Sequence, residues 1–163
     1  MLVPIILTLG GLIYYDRDIL GLSYRLSKAL RNARSVSFVE YERDLLLARR
    51  AATPEDISRF RRATSPWFMP FEQGRSLCFE PHHRVEIVSA DGTKLKFLVC
   101  FMCSNFDLYP NDTEISTAAD LPPSWEKSLS SFFASIGMPP KSEAEYGELY
   151  QKHANDHEME AQP

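Results

Sequence analysis

The stretch Arg84-Val85-Glu86-Ile87-Val88-Ser89-Ala90-Asp91-Gly92-Thr93-Lys94-Leu95-Lys96-Phe97-Leu98-Val99-Cys100-Phe101 decides the fold. Asp-Gly between two β-rich runs is the strongest short-range signal for a hairpin. A three-residue loop at Asp91–Thr93 puts Val85 and Ile87 on one face with Phe97, Val99 and Phe101. Glu86, Lys94 and Lys96 take the other face. That register sets Arg84 against Cys100 and His83 against Phe101.

Working outward, Val36–Tyr41 and Leu45–Ala48 read as strands or a hairpin, and Asn105–Tyr109 as a further short strand. Thr53-Pro54-Glu55-Asp56 opens a helix: Thr53 accepts from first-turn amides, Pro54 suits the first position, and the acids face the positive dipole end. Ile57 and Phe60 bury one face, and the helix stops before Pro66. Residues 110–119 are polar and loop-like. After Pro122-Pro123, the residues Trp125, Leu129, Phe132, Phe133 and Ile136 make an amphipathic stripe. Gly137 follows as the C′ residue, and Ser142-Glu143-Ala144-Glu145 is a capping box for a last helix edged by Tyr146, Leu149 and Tyr150. The expected class is α+β, a small antiparallel sheet with a central hairpin (84–101) and packed amphipathic helices. One domain, 16–154, follows an apolar segment, 1–15, and precedes a polar tail, 155–163.

The 163 residues carry a net charge of −4, with 44% hydrophobic and 25% charged. That composition excludes a collagen, a coiled coil, a disordered chain and a multi-span membrane protein. The acidic excess argues against a nucleic-acid partner. Charge is uneven: residues 1–62 balance to +4 and residues 63–163 to −8. Such asymmetry marks a surface that meets something anionic at one end.

Leu2–Tyr15 (LVPIILTLGGLIYY) is uncharged, shorter than the roughly 20 residues a spanning helix needs. No basic flank or cleavage site marks it as a secretory signal, and Pro4 and Gly10-Gly11 weaken a helix. Arg25, Lys28, Arg31 and Arg34 then form a basic stripe on a helix over about 19–33, opposite Leu22, Leu26, Ala29 and Leu30. An apolar segment beside a basic amphipathic helix suits an anionic membrane surface, through residues 1–34. The plain alternative is a buried first element and a solvated helix. Trp67, Phe68, Met69 and Phe71 form an aromatic loop, either a partner surface or a plug for the end of the core.

Ligand-type residues cluster around the hairpin: Cys78-Phe79-Glu80-Pro81-His82-His83, then Cys100-Phe101-Met102-Cys103. His82 shares a sheet face with Cys100, and a common site for Cys100 and Cys103 needs the chain to turn after Cys100. Several chemistries fit: a Cys3His zinc site, a disulfide from Cys78 to Cys100 or Cys103, and a redox dithiol at Cys100 and Cys103. A Cys100–His82 nucleophile pair also fits, as does the plain alternative of core cysteines with surface histidines. His153 and His157 have a metal-compatible i, i+4 spacing but sit in an acidic tail, and Glu143, Glu145 and Glu148 suit helix solvation. There is no phosphate-binding glycine loop, nucleophile elbow or His-Glu-x-x-His motif.

The stretch from Cys78 to Cys103 resembles a pattern in uncharacterised bacterial proteins: Cys-Phe/Tyr-x-Pro-x-His-Gly, a hairpin, then Cys-Phe-x-Cys. The match falls on Cys78, Pro81, His83, Cys100 and Cys103, with Arg84 standing where the pattern has Gly. The resemblance favours His83 over His82 as fourth ligand, and implies a membrane-proximal setting. The expected function is that of a non-enzymatic, membrane-associated domain. Its hairpin is stapled by zinc at Cys78, His83, Cys100 and Cys103, or by a disulfide. The rival class is a thiol-disulfide oxidoreductase using Cys100 and Cys103.

Overall fold

The computed structural model describes residues 24–64, 79–111 and 117–160, without the side chains of 117 and 154–160. The apolar segment 1–15, the loop holding Trp67, Phe68, Met69 and Phe71, and Cys78 lie outside these residues. Helix α1 occupies 24–31. The order then runs β1 (Ala33–Glu42), β2 (Leu45–Ala51), α2 (Pro54–Ala63), β3 (His83–Ser89), β4 (Lys94–Cys100), β5 (Asn105–Pro110), β6 (Thr117–Asp120), α3 (Pro123–Ser135) and α4 (Glu143–Glu160). The fold is α+β. One antiparallel sheet has the strand order β2-β1-β3-β4-β5-β6.

Strand alternation builds the core face. Val36 and Phe38 of β1 lie opposite Ile87 and Val85 of β3, which lie opposite Leu95 and Phe97 of β4. Phe97 and Val99 lie opposite Leu108 and Phe106 of β5. Leu26 and Leu30 of α1, Phe60 of α2, and Trp125, Leu129, Phe132 and Phe133 of α3 cover this face in one hydrophobic cluster. Phe60 packs its ring 5.7 Å from Phe38 and 5.5 Å from Phe132, so a single residue ties α2 to both the sheet and α3.

The hairpin forms with the expected faces but a different register. His83 pairs with Val99 and Arg84 with Leu98, two residues from the expected partners. The Ser89 amide donates to the Thr93 carbonyl at 2.8 Å, so the loop is Ala90–Gly92. The cause is Gly92 at φ +85°, since a three-residue loop places its left-handed residue last, immediately before the pairing resumes. The Asp91 carboxylate reinforces it by accepting from the Thr93 amide at 2.9 Å. A slide of two keeps every side chain on its face, which is why the alternation held. A second correction is β6 (Thr117–Asp120), which pairs with β5 although residues 117–119 were expected as loop. Its Thr-Ala-Ala-Asp sequence has little β propensity, and the exposed ladder of β5 recruits it.

Both helix-start signals are realised. Thr53 and Asp56 cap α2 reciprocally, and Ser142 and Glu145 do the same at α4. Gly137 takes φ +83° after α3. There the amides of Gly137 and Met138 return to the carbonyls of Ala134 and Phe133, a Schellman closure. This closure aims the chain from Met138 to Lys141 at the end of the sheet where β1 and β3 carry polar residues. Helix α4 continues through 155–160. Among the described residues no helix is long and apolar enough to cross a membrane.

Candidate functional site

The chain does turn after Cys100. Strand β4 ends there, residues 101–104 form the turn, and Asn105 pairs back with Cys100 to start β5. Ser104 sits at φ +46°, the left-handed residue that reverses the chain. Its hydroxyl donates to the Glu126 carboxylate of α3 at 3.1 Å, fixing the turn against the helix. The reversal brings Cys103 onto Cys100, with the sulfurs 2.7 Å apart. No disulfide joins them. A disulfide bond needs about 2.05 Å, so a small side-chain movement closes the ring. Cys100 is 1% exposed and Cys103 is half-buried, while Met102 between them stands out in solvent.

Cys100 lies on the face opposite the helical layer. Arg84, paired with Leu98, shares that face and is a diagonal neighbour. Its guanidinium stands 5.1 Å from the Tyr41 ring centroid and donates to Glu86 at 2.8 Å. Burial pushes the Tyr41 hydroxyl far above its usual range; Arg84 opposes that, while Tyr109 and Cys100 add to it. Tyr41 therefore stays a neutral phenol beside the thiols. Asn105 donates to the Asp120 carboxylate at 2.8 Å, locking β5 to β6 next to the turn.

The two histidines go elsewhere. His83, opposite Val99, points into the helical layer, its ring 4.5 Å from Phe133 and 5.2 Å from Phe101. Its Nε2–H donates to the Met138 carbonyl at 2.9 Å, which fixes the tautomer and leaves Nδ1 buried without a partner among the described residues. Burial pushes its pKa down to about 4, and nearby Lys141 and His82 push the same way against the Met138 hydrogen bond. Pleating thus separates His83 from Cys100 by the thickness of the sheet. His82 Nε2 donates to the Glu42 carboxylate at 2.7 Å, and its ring stacks on Tyr146 at 3.8 Å. The structure therefore brings together Cys100 and Cys103, and places neither histidine with them. Among the described residues no group of three or more His, Cys, Asp and Glu side chains is arranged to hold a metal.

A second polar cluster joins β1 to α4. Glu40, opposite His83, accepts from Lys141 and from the Tyr146 hydroxyl at 3.2 Å. With Glu42 and His82 it forms a buried network on which α4 rests. Sequence reading missed it because Glu40 and Glu42 sit in a strand that alternates only weakly. Their one visible signal was acids at β1 positions sharing the parity of Phe38. A third feature lies between α2 and α3, a groove of about 300 Å³ lined by Arg59, Arg62, Ala63, Ser128, Ser131 and Phe132. No family model, curated protein or solved structure matches the chain.

Proposed function

We propose that the domain is a thiol–disulfide exchange protein whose working groups are Cys103 and Cys100. The observation that carries this is the 2.7 Å approach of the two sulfurs at an accessible turn. Cys103, the more exposed, attacks as thiolate on a partner disulfide, forming a mixed disulfide and expelling one partner thiolate. Cys100 then gives up its proton and attacks the Cys103 sulfur, closing the Cys100–Cys103 bond and releasing the second partner thiolate. Two electrons and two protons pass to the partner. The order is the reverse of motifs in which the first cysteine is the exposed one, and it follows from burial.

The test is intact mass and thiol alkylation of the full chain across a glutathione redox series. The expected result is one reversible two-electron couple, lost in both Cys100→Ser and Cys103→Ser. Cys103 should be alkylated at least about tenfold faster than Cys100, following thiolate access. Stoichiometric zinc in the reduced protein would overturn this reading and favour the stapled hairpin. In that case Cys78 joins the pair, and His83 has to leave Met138 and cross the sheet.

The setting we propose is an anionic membrane surface. Arg25, Lys28 and Arg31 of α1 are exposed, while Leu26 and Leu30 of the same helix are buried in the core; Arg34, expected to extend that stripe, is exposed but lies in β1. The basic stripe is therefore turned outward, as such a surface requires.

A further inference from the structure

We propose that the groove between α2 and α3 is a binding site for a phosphate group, carried by a small phosphate ester or a lipid headgroup. This goes beyond the thiol reading and uses none of its residues. Arg59 and Arg62 lie at i, i+3 on α2, and Ser128 and Ser131 lie at i, i+3 on α3. Each spacing places its pair on one helix face, so two guanidiniums and two hydroxyls line the groove from opposite walls.

The arginines are positioned rather than loose. Arg59 sits 5.7 Å from the Phe132 ring centroid and donates to the Ser135 hydroxyl. Arg62 donates to Ser58, one turn back, at 2.9 Å. A guanidinium carries five N–H donors in a planar fork, so each keeps most of its donors for a ligand. The contrast with other arginines is informative. Arg49 and Arg84 are paired with Glu86 and Arg50 with Asp56, whereas among the described residues Arg59 and Arg62 hold only hydroxyls. Two fixed guanidiniums with serine hydroxyls opposite match the oxygens and charge of a phosphate. The volume of about 300 Å³ suits one such group with a short attached moiety. The overall charge of −4 disfavours a polyanion, so the ligand is a single phosphate rather than a nucleic-acid backbone.

The test titrates full-length protein with inorganic phosphate, following amide resonances by NMR, with chloride at matched ionic strength as reference. Saturable shifts at 59–63 and 128–132, seen with phosphate and not chloride, are expected. In Arg59→Gln/Arg62→Gln the affinity should fall at least about tenfold, the loss of charge-assisted hydrogen bonds. Ser128→Ala/Ser131→Ala, which leaves helix propensity intact, should weaken it less and serves if the arginine variant fails to fold. Arg61→Gln/Lys127→Gln removes the same charge from exposed positions of α2 and α3 outside the groove lining and should leave affinity unchanged. Vesicles of phosphatidylcholine with and without phosphatidic acid then separate the sources. Vesicle binding weakened in the groove variants assigns a lipid headgroup, and vesicle binding that is absent, or unchanged in them because the α1 stripe carries it, assigns a soluble ester. No saturable response, or equal weakening by the Arg61→Gln/Lys127→Gln variant, overturns the proposal.

Discussion

His83 shows how much one residue's surroundings decide. Its ring is held neutral by burial, with Nε2–H on Met138 and Nδ1 without a hydrogen-bond partner among the described residues. Its folded pKa, about 4, lies below the 6.5 of an exposed imidazole. The unfolded chain therefore takes up a proton that the folded one refuses. Stability from this group is complete above pH 6.5, declines as pH falls through that value, and stops declining below about 4. The full loss is roughly 3 kcal/mol. Urea midpoints of the wild type should fall between pH 7 and pH 4.5, and His83→Phe should flatten that slope; an unchanged slope in the variant would assign the dependence to other groups. The histidines and cysteines were legible as a cluster because they flank one hairpin. Alternation also put His83 and Cys100 on opposite faces, but the partner of His83 was not legible, since Met138 lies 55 positions on. Nor was the partner of His82, since Glu42 lies 40 positions back and Tyr146 lies 64 positions on.

Among the elements, those with strong local signals were legible: the Asp-Gly hairpin, the Thr53 and Ser142 caps, and the apolar stripe of α3. What local signals lack is information about docking. Helix α4 shows this, because its periodicity supplies only a narrow apolar edge. In the structure Tyr146 is its one fully buried side chain among Glu143–His153, stacked on His82 and bonded to Glu40. Arg43 adds a contact 5.0 Å from the Tyr150 ring centroid. Tyr146→Ala should therefore free α4 while sparing the sheet. Hydrogen exchange of amides 147–153 should accelerate by a factor of about 100 or more, the cost of removing a buried aromatic. Amides of β3 and β4 should keep their protection, and equal acceleration there would show that α4 is integral to the core.

At the scale of the whole molecule, sequence neighbours pair in the sheet at every junction but one, where β1 meets β3. The α+β class follows from the order of elements. The junction itself was invisible, because neither strand's pattern names its partner. It divides the chain into an early unit, α1 to α2, and a late meander, β3 to β6, each built from local contacts. Joining them closes a long loop, the step with the largest entropic cost. The zipper between Phe38 and Val85 should thus be the nucleus of refolding. Phe38→Leu or Val85→Ala should slow the folding arm of a chevron, whereas Leu108→Ala, in a strand that adds afterwards, should mainly quicken unfolding. A protein assembled in this way completes its dithiol last: the turn joins β4 to β5, a strand that adds after the two halves of the chain have met.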